Sequence, residues 1–318
     1  MNNAIIDNDL VNSEDMVTLA WQRNHGVAAF NVNDLEWAKG IILGAAGLDP
    51  KTNSKIGRDI ILQVTMGAAD YMGGYKLARD MIVDMIDWDK AHGLIPKNWH
   101  TVLHADHADY NHAHEALDAG FTSVMFDGSK LPIDKNVKLS KIIIERAHQY
   151  GATAEVEVGT IGGSEDGVYG SGELSPITDV LKMAALKPDM MAVGIGNIHG
   201  PYPKNWKGLD FDYLSMVKKA LQDNALDLPL VLHGGSGIPD DQVARAIKSG
   251  VTKINVNTEL QIEYYKALRD EFHRLAGYDE DHIIDEKLYD PRTVLAAPTK
   301  AIADKVRSMT GFFSNPSC

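Results

Sequence analysis

Short runs of β-branched and other apolar residues recur along the chain, each followed by a longer segment whose apolar residues fall at helical spacing. Eight runs predict strands at 27–31, 59–65, 101–105, 123–127, 154–158, 190–194, 228–232 and 252–256. Helical patterns fill much of the space between and after them, at 35–46, 75–90, 134–150, 240–248 and 259–275. Alternation of this kind predicts a parallel sheet covered by helices, and eight strands is the number of an α/β (β/α)8 TIM barrel. A doubly wound open sheet is the other architecture it allows. No Pro/Ser-rich linker, composition shift or internal repeat divides the chain, so residues 1–318 are expected to form a single domain. The stretch from Asp290 onward reads as an additional C-terminal helix, and 47–58 and 159–173 read as longer loops.

Composition narrows the partners. With 318 residues and 44% hydrophobic positions the chain can bury a full core, and disorder is excluded. The formal net charge of -13 argues against a dedicated nucleic-acid or anionic-membrane surface, while leaving room for a local basic pocket around a phosphorylated metabolite. The opening stretch MNNAIIDNDLVNSEDM has no basic leader, and no apolar run is long enough to span a bilayer, so a cytoplasmic enzyme is expected. Cys318 is the only cysteine, so any metal within one chain must be held by His, Asp, Glu or backbone oxygen.

Placed on the strand map, the chemically capable residues gather at carboxyl ends. His104, Asp106 and His107 close strand three, Asp127 closes strand four, Glu157 strand five, and His199 and His233 follow strands six and seven. In a barrel that end carries the active site. His107, His199 and His233 could form the three-imidazole shell of a catalytic zinc with one position left for substrate; three separately satisfied polar histidines are the bland alternative. His112, His114, His148 and His273 fall in helical patterns and are assigned to solvated faces. The turn from His233 to Gly237 follows an apolar strand and precedes a helix, so its backbone N–H groups could cradle a phosphate, or it could serve only as a turn. The loop from Gly159 to Gly170 carries Glu165 and Asp166 between glycines; it could bring an acid into the site on closing, or be an ordinary solvated loop.

With these pieces in order, the sequence resembles the class II fructose-bisphosphate and tagatose-bisphosphate aldolases. The resembling blocks are AAFNVNDLEWAKGIILGA, LHADHADYNHAHEALDAGFTSVMFDGS, EVEVGTIGGSEDG, VGIGNIHGPY, LHGGSGIP, KINVNTELQ and the DPR at 290–292, spanning nearly the whole chain. The resemblance implies that His107, His199 and His233 bind a catalytic Zn2+, with Glu157 an alternative or supporting ligand, and that no Schiff-base lysine is needed. It makes Asp106 the acid/base at the carbon-4 hydroxyl and Glu165 the residue that moves the proton on the dihydroxyacetone phosphate carbon; many relatives carry their Glu one position earlier, where Ser164 stands here. Gly200, Gly234 and Ser236 become candidates for one phosphate, together with a monovalent cation, Na+ or K+. Asn255 and Thr258 would contact the substrate and its phosphate, and Asn31 and Thr65, at polar positions of the first two strands, are expected among the substrate-binding residues. Arg292 resembles an arginine that in some members reaches the second phosphate bound by a neighbouring subunit, which implies a homo-oligomer, a dimer or tetramer. Pro203 separates Tyr202 from Lys204, unlike the common pattern, so Lys204 is left out of the site.

The implied activity is reversible cleavage of fructose 1,6-bisphosphate, a sugar bisphosphate of glycolysis and gluconeogenesis, to dihydroxyacetone phosphate and glyceraldehyde 3-phosphate. Tagatose 1,6-bisphosphate is the alternative substrate. Asn257 favours fructose, because tagatose-type relatives often show Ala at that place. Barrel metal hydrolases also use His and Asp at strand ends but typically open with His-x-His on the first strand, where this chain has Phe30–Asn31–Val32–Asn33. A barrel retained only as a scaffold should have lost Asp106 or a histidine, and none is missing.

Overall fold

The computed structural model describes residues 9–165, 168–170, 174–274 and 290–316, with the backbone alone described for 164–165 and 168–170. Eight parallel strands, Val27–Asn31, Ile60–Thr65, Val102–Ala108, Ser123–Phe126, Thr153–Val158, Met190–Val193, Leu230–Leu232 and Val251–Val256, pair in chain order, and the last closes on the first. The architecture is therefore the (β/α)8 TIM barrel and not an open sheet. Every residue of these strands is buried, as expected where one face fills a barrel and the other is covered by helices.

Period-two alternation separates two environments. Ala28, Phe30, Ile60, Leu62, Leu103 and Val124 point outward into the main core beneath the helices, whereas Val27, Ala29, Ile61, Val102, Met190, Ala192 and Val231 form a second cluster within the barrel. Val17 and Ala20 of the helix Glu14–Gln22 join that inner cluster and plug the amino-terminal end of the barrel. Further along the same inward face the residues turn polar: Asn31, Gln63, His104, Asp106, Ser123, Glu155, Glu157, His233, Lys253 and Asn255 are all buried. One end of the barrel is thus a conventional apolar core, and the other is a concentrated set of ionisable groups.

Several expectations need correction at the level of boundaries. The loop at 159–173 contains a short hairpin, Gly162–Glu165 with Val168–Gly170, which joins Ile198–His199 in a small three-stranded sheet. The tail from Asp290 forms two helices, Pro291–Val294 and Ala296–Phe313, the longer packing on Leu35–Ala46. Helices at Glu14–Gln22, Met66–Met72, Ile177–Ala184 and Phe211–Asp223 lay outside the sequence expectation. Strand three runs three residues further than its pattern suggested, for a reason that matters to the site.

Candidate active site

Alternation in strand three would send Asp106 inward and His107 outward. The register against strand four shifts between Ala105 and Ala108, where three steps on strand three match two on its neighbour, and His107 has φ +48. This bulge turns His107 back toward the lumen, so two consecutive side chains address one site. A left-handed conformation at a non-glycine residue costs on the order of 1 kcal/mol, which surrounding contacts must offset. The ring of His107 makes edge contacts with His199 and His233, at centroid separations of 4.9 and 4.6 Å. Ligand atoms of these three histidines all lie within 4.8 Å of one another, and the same is true of His107, Asp127 and Glu157.

Neighbouring carboxylates select the ring nitrogens. His107 Nδ1 is 3.0 Å from Asp127 Oδ2, and His233 Nε2 is 2.8 Å from Glu155 Oε1. An anionic acceptor claims the N–H of each ring, which leaves His107 Nε2 and His233 Nδ1 as lone-pair nitrogens. Those two atoms face each other at 2.8 Å. Two lone pairs directed at one place repel unless a cation sits between them, so the donor set fits a divalent metal. Burial adds to the fit: it lowers the His233 pKa well below the ordinary value and holds His199 down to about 3. Neutral imidazoles are what a metal requires. Glu157 supports the same conclusion, because its buried Oε2 has no hydrogen-bond partner. Burial, reinforced by Asp127, pushes that carboxyl well above its usual range, and an adjacent cation would relieve both penalties. Asp127 itself is held below the usual carboxylate range: burial acts to raise it, and the His107 contact and Ser129 hydrogen bonds outweigh this.

Asp106 sits beside this cluster in a bed of amides. Asn31 Nδ2 and Gln63 Nε2 donate to its Oδ2 at 3.1 and 3.0 Å, and Asn255 Nδ2 donates to its Oδ1 at 3.2 Å. Gln63 also donates to Asn31 Oδ1 at 2.7 Å, so these two amides orient each other as well as the carboxylate. Asn31 and Asn255, expected at the substrate, therefore both hold Asp106. Thr65 is register partner to Asp106, but its hydroxyl accepts from Ala68 N and caps the helix Met66–Met72.

The loops after strands six and seven are tied together. Asn197, fully buried, donates to His233 O at 2.8 Å, and Tyr202 Oη donates to Gly234 O at 2.8 Å while accepting from Ile198 N. Gly234, at φ +61, approaches so closely that a Cβ there would lie 2.0 Å from Ile198 O. Ser236 Oγ accepts from Glu259 N, placing the Gly234–Ser236 turn against the first turn of the helix Thr258–Arg274, with Asn257 immediately before it. Gly200, at φ +86, has no heavy atom within 4 Å of where a Cβ would stand. The Gly234–Ser236 turn therefore stands against a helix N-terminus, the kind of place where anions bind.

Not every expected residue is gathered here. Arg292 is exposed, its guanidinium is held by Asp290, and it lines a separate cleft of about 500 Å³ with Leu35, Lys39, Leu43 and Asp304. Glu165 ends the first hairpin strand, and its side chain, like Asp166, lies outside the described residues. Lys204 is exposed. His104 lies one layer deeper, with Nδ1 2.8 Å from Ser123 Oγ and Nε2 3.5 Å from Glu155 Oε2, so it supports the cluster from below. Sequence reasoning missed Gln63, Glu155 and Lys253, and gave Asp127 no role. A usable signal was present: Gln63, Glu155 and Lys253 each stand two residues before a named site residue on the same strand, hence on the same inward face one layer down.

Among the described residues, no helix is long and apolar enough to cross a membrane. The family profile described as "Fructose-bisphosphate aldolase class-II" matches residues 11–316. The chain is 44% identical over 307 residues to a fructose-bisphosphate aldolase of Streptococcus pneumoniae serotype 4, covering 96% of this chain and 98% of that one. It is 42% identical over 295 residues to a fructose-bisphosphate aldolase of Mycoplasma pneumoniae, covering 93% and 94%. Among solved structures, a fructose-bisphosphate aldolase from Campylobacter jejuni superposes with a TM-score of 0.72 at 21% identity over 96% of this chain and 95% of that one. An aldolase from Escherichia coli K12 gives 0.71 at 22% over 96% and 98%. At these identities the two structures speak for the fold alone.

Proposed function

The chain belongs to the class II fructose-bisphosphate aldolase family and is a carbon–carbon lyase, and we propose that it cleaves fructose 1,6-bisphosphate reversibly to dihydroxyacetone phosphate and glyceraldehyde 3-phosphate. The observation that carries the reading is Asp106, a carboxylate held by three amide donors next to three converging histidines. His107, His199 and His233 would hold the metal, which we propose to be Zn2+, with Glu157 positioned to assist. When bound, the metal supplies electrophilic stabilisation of the charge that develops on the ketose oxygens.

The protein's own residues then perform the proton traffic. Asp106 accepts the proton of the carbon-4 hydroxyl as the bond between carbons 3 and 4 breaks. Its amide bed leaves the carboxylate little rotational freedom, which keeps the accepting oxygen aimed. Glu165 is assigned the proton that completes dihydroxyacetone phosphate. The turn at Gly200, Gly234 and Ser236 and the helix end at Thr258 would bind one phosphate, with a monovalent cation nearby, and Asn257 would face the sugar. Arg292, turned away from this chain's own histidines, would serve the second phosphate of a neighbouring subunit in a homo-oligomer. A cytoplasmic location accords with the substrate.

The test is a coupled triose-phosphate assay on Zn2+-loaded full chain with fructose and tagatose 1,6-bisphosphates in parallel. Chelator-sensitive cleavage favouring fructose is expected, whereas preference for tagatose would move the assignment to the alternative and no cleavage with Zn2+ present would reject it. Asp106→Ala should bind Zn2+ normally and lose about 100- to 10,000-fold in kcat; near-normal turnover would remove Asp106 from its role.

A further inference from the structure

Tyr202 stands between Pro201 and Pro203 in the loop after strand six, and the chemistry above makes no use of it. Proline fixes its own φ and biases the residue before it toward extended backbone, so Pro203 restricts what Tyr202 can adopt. The rest of the loop is braced around the phenol. Trp206 N donates to Pro203 O at 2.9 Å, the Trp206 indole Nε1 donates to Gly196 O at 2.8 Å, and the Tyr202 and Trp206 rings pack with centroids 4.2 Å apart. From this mount the phenol reaches two backbones: its Oη accepts from Ile198 N at 3.2 Å and donates to Gly234 O at 2.8 Å. Ile198 immediately precedes His199, and Gly234 immediately follows His233. The peptide that supplies the Gly234 carbonyl is also held at its other end, where Gly235 N donates to Asn255 O at 2.9 Å. The phenol ring meets the far end of the same turn, because a Cβ at Gly237 would stand 3.5 Å from Tyr202 Cδ2.

We propose that Tyr202 is a positioning residue whose one hydroxyl fixes both the spacing of the backbones that carry His199 and His233 and the shape of the Gly234–Gly237 turn. An amide N–H can only donate and a carbonyl can only accept, so the hydroxyl between them has one orientation and both of its capacities are used. No other group joins the residue before one histidine to the residue after the other with a single atom. The imidazoles hang from different strands, and a metal tolerates little error in where their nitrogens stand, so a strut between the two backbones acts on the ligand set without touching it. The same strut, with Asn255 O opposite, holds the peptide that opens the turn. Loss of the hydroxyl should therefore disturb the metal and anion positions together, whereas Asp106 keeps its own three amide donors. The metal effect is readable in the chain without substrate; the anion effect rests on the proposed cleavage of a sugar bisphosphate.

Tyr202→Phe removes the bridge and keeps the ring against Trp206. Titration of the metal-free full chain with Co2+ alone should show affinity lower by about 10-fold and an altered visible spectrum. Calorimetric titration of the Zn2+-saturated chain with inorganic phosphate should show binding weaker by about 5- to 10-fold, the worth of one neutral hydrogen bond. In turnover, KM for the sugar bisphosphate should rise by a larger factor than kcat falls. Tyr213→Phe is the matched control: the buried Tyr213 hydroxyl also donates to a backbone carbonyl, that of Ser175, outside the site. It should lower Tm and leave Co2+ affinity, spectrum and phosphate affinity at wild-type values. Placing 4-aminophenylalanine at position 202 returns a donor of the same reach, and most of both affinities should return with it. If Tyr202→Phe does not fold, the 4-aminophenylalanine chain still reads the proposal through its Co2+ spectrum. Wild-type Co2+ affinity and spectrum in Tyr202→Phe, the same losses in Tyr213→Phe, or a disturbed Co2+ site with 4-aminophenylalanine would overturn the proposal. Absence of phosphate binding and sugar-bisphosphate cleavage in the wild type, with Co2+ responding as stated, would instead count against the substrate assignment alone.

Discussion

Gly163 lies outside the barrel, yet its replacement should damage the metal site. The hairpin strand Gly162–Glu165 runs beside Ile198–His199, with Gly163 paired to His199. A Cβ at Gly163 would stand 2.1 Å from the carbonyl oxygen of His199, 2.9 Å from its nitrogen and 3.0 Å from its carbonyl carbon. Carbon–oxygen contacts begin near about 3.3 Å, so the two strands must separate by about 1 Å. All three atoms are backbone, and no rotamer change relieves the contact. A ligand nitrogen bonded at about 2.0–2.1 Å cannot follow such a shift without loss, so Gly163→Ala should weaken Zn2+ binding by about 10- to 100-fold. A fall of about 100-fold in kcat, or about 2.7 kcal/mol, should accompany it. The substitution also places an alanine at φ +84, which costs on the order of 1 kcal/mol by itself. Gly74→Ala isolates that backbone cost, because Gly74 has φ +108 and nothing within 4 Å of its would-be Cβ. Competition with a chromophoric chelator reads the affinity, the coupled assay reads kcat, and thermal unfolding of metal-free protein reads the strain. Metal affinity and kcat within twofold of wild type in Gly163→Ala would refute the coupling between hairpin and ligand.

Asp127→Asn removes the anionic acceptor at His107 Nδ1, and Zn2+ affinity measured by chelator competition should drop about 10- to 100-fold; an unchanged affinity would show that the carboxylate does not orient the ring. Saturating the chain with Zn2+ at about 100 times its Kd should raise unfolding stability by about 2.7 kcal/mol over the chelated form, visible as a higher Tm, and coincident melting curves would argue against a folded-state site. In metal-free protein His104, His199 and His233 have folded-state pKa values depressed below 6.5, with burial the first cause. The unfolded chain therefore takes up protons first as pH falls: their contribution is intact above about pH 6.5 and is lost progressively below it. Glu157, raised by burial, acts oppositely, costing stability as pH rises from its unfolded value of 4.5 toward its folded one. Tm should accordingly be lower at pH 5 than at pH 7.5 in the metal-free chain, and the reverse order would contradict the histidine assignment.

Much of this molecule was legible as a string. Period-two apolar runs interrupted by helical spacing are a local consequence of burial on both faces of a strand, and they predicted eight barrel strands within a few residues of Val27–Asn31 through Val251–Val256. The clustering of His107, Asp127, Glu157, His199 and His233 at strand ends was visible for the same reason, because the chain order of a (β/α)8 unit directs every carboxyl end to one face. The polar layer beneath was harder to see. Gln63, Glu155 and Lys253 lie inside strands and, apart from the Lys253–Asn255 bond, meet residues of other strands, so most of their partners are set by barrel closure and register and not by nearby sequence.

Local pattern, composition and motif order thus determined the class of fold, the end of the barrel that carries chemistry and most of the residues that stand there. Tertiary structure decided which atoms act. Alternation alone would have turned His107 outward, and only the bulge between strands three and four, a property of pairing, brings it beside Asp106. Asn255 meets both Asp106 and Lys253, and Glu155 meets His233, only because strands three, five, seven and eight surround one lumen. A hydrogen-bond network of that kind has no sequence period, because its geometry exists only once distant strands share one enclosed, low-dielectric interior.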